Sequence, residues 1–132
     1  MKHQILQDAK TFQLVGMNID RLFQGHQIAT ELQDEGINIA AMGMGFIGFA
    51  LPMKELERRL LAHKINHGGN KPLRWMADNL TVKHDPAGNI KPDKATSQGK
   101  IDGIVALVMA IDRAMRHQDS TSIYERRDII IL

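Results

Sequence analysis

Residues 67–115 read HGGNKPLRWMADNLTVKHDPAGNIKPDKATSQGKIDGIVALVMAIDRAM, and this stretch decides the fold that we predict. Its centre, Asp-Pro-Ala-Gly-Asn at residues 85–89, has the composition of a tight turn. The residues on either side, 81–84 and 90–92, are predicted to form short extended segments. The middle of the chain is therefore expected to double back on itself.

Helices are predicted on both sides of this centre. Pro72 suits the first turn of a short helix, because its missing N–H costs nothing there. A final helix is expected from about Lys100 to Arg116, with Ser97 or Thr96 as its N-terminal cap.

Upstream of this stretch, the apolar patterns alternate between helix and strand. Residues 2–11 predict an amphipathic helix, residues 12–19 a buried strand, and residues 24–35 a second helix. Gly36 then stands where a left-handed C-terminal cap belongs, and residues 37–42 predict a second buried strand. Two buried strands that alternate with helices indicate an α/β domain with few strands flanked by helices.

A further helix is predicted around Pro52, which we place in its first turn. Glu55 and Arg59 stand four residues apart on the exposed side, in the order that favours an ion pair. The buried stripe of this helix is expected to comprise Met53, Leu56, Leu60 and Leu61.

Size and composition limit the class of protein. The chain has 132 residues, 43% hydrophobic and 24% charged, which indicates one globular domain with residues 117–132 as a tail. It has no cysteine, so disulfides and thiolate metal sites are excluded. No apolar run reaches membrane-spanning length and no signal-peptide core opens the sequence. A cytoplasmic location is the default expectation.

Positive charge is concentrated in the middle of the chain. Between Lys54 and Lys100 there are ten Lys/Arg against five acids, although the net charge of the whole chain is only +2. This excess indicates either a surface that contacts phosphate or an ordinary solvated surface. The cations that we assign to DNA binding are Arg74, Lys83, Lys91, Lys94 and Lys100.

Asp102 is the strongest candidate for chemistry. Helical spacing puts its carboxylate in line with Val105, Ala106 and Met109, which are expected to face the sheet. A buried carboxylate needs hydrogen bonds, a cation or a metal ion. The alternative is that Asp102, in the first turn, only complements the helix dipole.

Asp20 is the second candidate, because it ends a predicted buried strand at the sheet edge where α/β folds place ligands. An ordinary ion pair with Arg21, or a strand cap, is the alternative. Two acids brought together could hold Mg²⁺ or Mn²⁺, which prefer oxygen ligands. Asp85 and Asp93 lie in turn-like contexts and are interpreted as structural.

Other kinds of site are not favoured. His63 and His67 have helical spacing, but a break falls between them and no third zinc ligand is apparent. The sequence contains no P-loop, no nucleophile elbow and no dinucleotide fingerprint.

Ordered blocks of this sequence resemble the large subunit of tailed-phage terminases, the motors that package viral DNA. The most specific blocks are residues 85–94 and 100–106, and further blocks lie at residues 43–46, 53–58 and 67–76. The similarity is to the C-terminal part of that subunit. It implies an incomplete ribonuclease-H-like nuclease core, from a metal-dependent endonuclease domain that cuts concatemeric viral DNA during packaging.

The resemblance also implies roles for two acids. The family's final-helix aspartate matches Asp102, and the acid of its Asp-Arg-Trp-like motif matches Asp20, with Leu22 and Phe23 where Trp and Asn are common. Asp20 and Asp102 are therefore expected to be catalytic residues and ligands of Mg²⁺ or Mn²⁺.

Two parts of the family pattern have no counterpart in this sequence, namely the first catalytic aspartate and the Walker ATPase domain. We therefore expect a part of the enzyme with weak or absent metal binding and activity; the alternative is a non-catalytic DNA-binding or assembly remnant. The implied partners are double-stranded DNA, the terminase small subunit and the portal, with a second copy joined through an exposed sheet edge. The implied location is the cytoplasm of a phage host cell.

Overall fold

The structure, a computed structural model, describes residues 1–22 and 25–131, with side chains described up to His117. The chain divides into two compact units. The first unit comprises Met1–Met42 with Asp112–Leu132, and the second comprises Gly43–Ile111.

The first unit contains a pair of parallel strands with helices before and between them. Its elements are α1 (Lys2–Phe12), β1 (Met17–Asp20), α2 (His26–Asp34) and β2 (Ile39–Met42). In the strand pair, Met17 lies opposite Ile39 and Asp20 opposite Met42. Parallel strands need a crossover connection, and α2 supplies it.

Two predictions of local structure in this unit have different outcomes. Gly36 has φ +88° beyond the end of α2, which confirms the predicted left-handed position. The predicted buried strand at residues 12–19 is wrong over its first half, because α1 continues through Phe12 and strand pairing starts at Met17. Phe12, Leu14 and Val15 are 75%, 43% and 58% exposed, so the apolar residues before Met17 do not enter the sheet. The predicted start of the second helix at Gln24, like Phe23, lies outside the described residues.

The second unit contains two helices and a hairpin, followed by the start of the last helix. Its elements are α3 (Phe46–Leu61), α4 (Lys71–Asn79), β3 (Val82–His84) and β4 (Ile90–Pro92), and α5 begins at Asp102. The two strands are antiparallel, with Val82 opposite Pro92. The predicted turn is confirmed: Asn89 N–H donates to Asp85 Oδ1 (2.8 Å) and Gly88 N–H to the Asp85 carbonyl (3.0 Å).

The placement of Pro52 in a first helical turn is wrong. The helix α3 begins six residues earlier at Phe46, and Pro52 is buried in its interior. Proline removes one helical hydrogen bond, and the buried stripe formed by Phe49, Pro52, Met53 and Leu56 offsets this loss by removing apolar surface from water.

The exposed and buried sides of α3 also differ from expectation. Leu60 and Leu61 are 52% and 76% exposed, so the predicted stripe ends at Leu56. The predicted ion pair is confirmed, with Arg59 Nε donating to Glu55 Oε1 at 2.7 Å. Hydrogen bonds from Arg58 and then Arg59 lower the pKa of Glu55 to about 2.

Helix α5 runs from Asp102 to Ile131 and is longer than the predicted helix. Ser97 and Thr96 lie in the turn before it and contact Asp93 and Thr81 instead of the helix start, so their predicted role as caps is wrong. Although α5 has 30 residues, no helix in the described part of the chain is long and apolar enough to cross a membrane. The side chains of the predicted tail beyond His117 lie outside those described, so its assignment stays a prediction.

The buried face of α5 explains which of its residues lie in the core. Burial recurs every three or four residues, as expected for one helical face. Ile101 is buried just before the helix begins. The buried residues along the described part of the helix are Ile104, Val105, Val108, Ile111 and Asp112.

The glycines at the start of α3 generate a stability prediction. A Cβ on Gly48 would lie 1.9 Å from the Gly43 carbonyl oxygen, which is backbone and cannot rotate away. Gly48→Ala should therefore lower the free energy of unfolding by roughly 1–3 kcal/mol, as other overpacked sites do. Urea denaturation measures the effect.

Gly43→Ala is the matched control, because nothing lies within 4 Å of the added Cβ. Its free energy of unfolding should change by less than about 1 kcal/mol. Equal losses in the two variants would contradict the close approach of these two residues.

Candidate nucleic-acid interface

The buried carboxylate of Asp93 organises the turn that follows the hairpin. Its Oδ2 accepts from the Thr96 hydroxyl at 2.8 Å, and its Oδ1 accepts from Ala95 N–H at 3.1 Å. These hydrogen bonds replace the water that burial removes. The bond from Thr96 is the main reason that the pKa of Asp93 lies below its usual value.

Backbone and hydroxyl contacts of Asp93 tie the same turn to the hairpin. Asp93 N–H donates to the Thr81 carbonyl at 2.9 Å, and Ser97 Oγ donates to the Asp93 carbonyl at 2.6 Å. The Ser97 hydroxyl also accepts from Thr81 N–H at 3.2 Å. The expectation that Asp93 is structural is therefore confirmed.

Three lysines around Asp93 line one cavity of about 250 Å³, which we call the lysine cavity. Lys83 comes from β3, Lys91 from β4, and Lys94 from the turn after β4. The full lining comprises Lys83, Lys91, Lys94, Asp93, Met44, Phe49, Pro92, Ala95 and Val105. Three ammonium groups against one carboxylate leave an excess of positive charge, which suits an anionic ligand.

Each of the three lysines has a different partner. Lys83 Nζ lies 3.9 Å from Asp93 Oδ2, a long ion pair. Lys91 Nζ lies 5.0 Å from the centroid of the Phe46 ring, within the range of a cation–π contact. Lys94 Nζ donates to Asp102 Oδ1 at 2.6 Å.

Asp102 is exposed, and its predicted burial among apolar residues is wrong. Its side chain retains 63% of its accessible surface. The buried face of α5 starts from Ile101, so Asp102 falls on the adjacent, solvent-facing side, together with the exposed Ala106. The hydrogen bond from Lys94 is the main cause that lowers the pKa of Asp102, and the charges of Lys94 and Lys100 add to it.

A second cavity, of about 380 Å³, joins Asp102 to the predicted cations. Lys94 and Lys100 line it, together with residues 97–99 and Ile101. Lys94 therefore lines both cavities. Arg74, on the exposed side of α4, lines neither of them.

Asp20 ends β1 as predicted, but in the first unit, whereas Asp102 belongs to the second. The Asp20 carboxylate accepts from Leu22 N–H at 2.9 Å, which matches the strand-cap alternative. The expected convergence of Asp20 and Asp102 on one edge stays a prediction.

The described residues do not assemble the acidic cluster of a two-metal nuclease. Among the side chains that the structure describes, in residues 1–22 and 25–117, no group of three or more His, Cys, Asp or Glu residues could hold a metal ion. The carboxylates of Asp20 and Asp102 accept from a backbone N–H and from Lys94, respectively.

The first unit also contains a buried acid, Asp112, that was not predicted from the sequence. Asp112 Oδ2 accepts from Asn18 Nδ2 of β1 at 2.8 Å and from Arg116 Nε at 3.0 Å. A recognisable signal was present, because Asp112 continues the apolar stripe of the last helix directly after Ile111.

A protein-family model matches most of the chain. Residues 4–118 match the family described as "Terminase large subunit, endonuclease domain".

Individual relatives agree with this family. The chain is 33% identical over 105 residues to Protein YmfN of Escherichia coli (strain K12), covering 78% of this chain and 22% of that protein. It is 32% identical over 105 residues to the terminase large subunit of Enterobacteria phage HK97, covering 78% of this chain and 21% of that protein. The chain thus spans about a fifth of the length of these curated relatives.

A solved structure supports the fold. The crystal structure of the HK97 bacteriophage large terminase superposes with a TM-score of 0.76 at 30% identity, covering 85% of this chain and 24% of that one. The predicted α/β fold, a ribonuclease-H-like nuclease core with few strands flanked by helices, is confirmed.

The contacts of Asp93 generate a pH-dependent prediction. A carboxyl whose pKa is lowered by folding contributes stability above its unfolded pKa, and that contribution disappears as the pH falls through the folded pKa. Asp93→Asn should therefore lower the Tm at pH 7, and the difference from the wild type should shrink as the pH falls below the ordinary value of 3.8. Thermal unfolding followed by circular dichroism measures both values.

Asp78→Asn on the exposed side of α4 is the control and should leave the Tm nearly unchanged across this range. A Tm difference for Asp93→Asn that is independent of pH would show that the charge of Asp93 does not stabilise the fold.

Proposed function

Because the chain belongs to the endonuclease-domain family of terminase large subunits, we propose that it is the C-terminal part of such a subunit. In this proposal the chain is part of the endonuclease domain that cuts concatemeric viral DNA during packaging. The substrate is double-stranded DNA in the cytoplasm of a phage host cell. The terminase small subunit and the portal are the proposed partners in packaging.

The observation that carries this proposal is the lysine cavity beside Asp102. Lys83, Lys91 and Lys94 come from three successive elements and line one positively charged depression. Lys94 also contacts the proposed catalytic acid. Ammonium groups bind phosphate as point charges without reading bases, so the surface suits DNA of any sequence.

The proposed roles of the remaining residues follow from this surface. Lys100 would extend the phosphate contacts along the second cavity, and Arg74 would add a contact from α4. Asp20 and Asp102 are the proposed catalytic acids of the intact domain, with Mg²⁺ or Mn²⁺ as the ion. The described residues supply no complete ligand set, so no reaction step is assigned to the metal.

A second copy of the chain is a further proposed partner. In the described part of the chain, the sheet of the first unit contains two strands, β1 and β2, so each strand forms one edge of the sheet. Strand edges of this kind pair readily with another chain.

The alternative function is a non-catalytic DNA-binding or assembly module. The Lys94–Asp102 ion pair favours it, because this bond occupies the carboxylate that catalysis would use. The two functions share DNA binding and differ in the requirement for Asp102.

DNA binding generates the first functional prediction. Lys83→Gln/Lys91→Gln should weaken binding to a short duplex and reduce the slope of log K against log salt by about 1.8, since each phosphate contact contributes about 0.9. Fluorescence anisotropy across a salt series measures the affinity and the slope.

Lys54→Gln/Lys64→Gln is the control for this experiment. It removes the same charge from exposed positions that line neither cavity, and it should leave the slope nearly unchanged. Wild-type binding that is absent at low salt or insensitive to salt would refute DNA binding by this surface. Equal slopes for the two double variants would refute the cavity as its location.

Cleavage generates the second functional prediction. We expect the isolated chain to nick plasmid DNA weakly or not at all with Mg²⁺ or Mn²⁺, and Asp102→Asn to change this little. A cluster short of carboxylates holds a divalent cation poorly. The HK97 terminase large subunit in which this chain replaces the matched segment should cut DNA and should lose cutting with Asp102→Asn.

Two outcomes would change the proposal. If the HK97 subunit that carries this chain binds DNA but does not cut it, the result would favour the non-catalytic module. Strong cleavage by the isolated chain that Asp102→Asn abolishes would show that this chain alone carries a complete catalytic site.

A further inference from the structure

We propose that Lys94 is shared between two anionic partners, Asp102 in the free chain and a DNA phosphate in the lysine cavity when DNA is bound. Asp102 thereby competes with phosphate for Lys94 and weakens DNA binding. This inference rests on the proposed DNA-binding function. It adds that Asp102 and the DNA phosphate compete for Lys94.

The position of Lys94 carries the inference. Lys94 lines both the lysine cavity and the cavity that contains Asp102. Its side chain is exposed, so a change of rotamer can redirect the ammonium group. In the free chain its Nζ lies 2.6 Å from Asp102 Oδ1. Asp102 does not line the lysine cavity, so this bond pairs Lys94 with an acid outside that cavity.

The other two lysines of the cavity are held differently. The partner of Lys83 is Asp93, which is itself part of the cavity wall. Lys91 lies over the Phe46 ring, which leaves its full positive charge in place. Among these three lysines, Lys94 is therefore the one whose ammonium group is paired with an acid outside the cavity, so that this acid competes with a bound phosphate.

The exchange costs little because the bond that must break is exposed. The side chains of Lys94 and Asp102 retain 64% and 63% of their accessible surface. Exposed ion pairs of this kind contribute little to stability and weaken with salt. A phosphate held by two further lysines can therefore compete for the Lys94 ammonium group.

Linkage between the two partners follows from this competition. Replacing Asp102 with a neutral residue releases Lys94 to the phosphate, and a phosphate bound by Lys94 leaves the Asp102 carboxylate without its ion pair. The substrate would in this way free the acid that the proposed reaction needs.

A double-mutant cycle measures this competition. The DNA affinity of the wild type, Asp102→Asn, Lys94→Gln and the double variant is determined by fluorescence anisotropy across a salt series. Asp102→Asn should raise affinity roughly two- to five-fold, as expected from release of an exposed ion pair. The salt slope should change by less than about 0.9, the contribution of one phosphate contact, because Lys94 contacts phosphate in both complexes. In the Lys94→Gln background, Asp102→Asn should give no gain in affinity.

Asp78→Asn is the control for general electrostatics, because it removes an acid that lines neither cavity. It should raise the affinity for DNA less than Asp102→Asn does. Circular dichroism checks that all variants fold, which is expected because the substituted side chains are exposed.

Two results would overturn the inference and distinguish it from the proposed function. If the wild type binds DNA with a steep salt dependence but Asp102→Asn acts equally with and without Lys94, the sharing of Lys94 is refuted and DNA binding stands. If the wild type shows no salt-dependent DNA binding, the proposed function fails and this inference fails with it.

Discussion

Burial of the Asp93 carboxylate is the constraint on which the candidate interface depends. A carboxylate that loses its water must find donors nearby, and Asp93 finds them in Thr96 and in the backbone of Ala95. Meeting this requirement folds the turn after β4 back against the hairpin, where Thr81 completes the network. The turn therefore has a fixed shape for an electrostatic reason.

This fixed turn positions the basic side chains. Lys91 and Lys94 stand two residues before and one residue after Asp93, and Lys83 reaches the same carboxylate from the opposite strand. Three cations thus share one cavity because one buried anion holds their backbone together. The same turn leads into α5 and so places Lys94 within reach of Asp102.

Sequence reasoning succeeded where local chemistry decides the structure. The turn at residues 85–89, the left-handed Gly36 and the Glu55–Arg59 pair all depend on residues close together in the chain. The relation to terminases was also readable, because ordered blocks of residues carry it.

Sequence reasoning failed where packing decides. Pro52 was assigned by its preference for a first turn, but a continuous apolar stripe extends the helix upstream of it. Asp102 was assigned to the wrong face, since a shift of one residue along α5 separates the buried Ile101 from the exposed Asp102. Ser97 and Thr96 looked like helix caps, yet the distant Thr81 and the buried Asp93 take their hydroxyls. The positions of these residues depend on packing and on contacts with distant residues, and local propensity alone does not predict them.

The most direct test of the account is to observe the lysine side chains while DNA binds. NMR signals of the lysine ε-CH₂ groups, assigned by single Lys→Arg substitutions, would be followed as a short duplex is added. The account predicts the largest changes at Lys83, Lys91 and Lys94, with little change at Lys54 and Lys64. Equal small changes at all five lysines, or changes confined to Lys54 and Lys64, would contradict it.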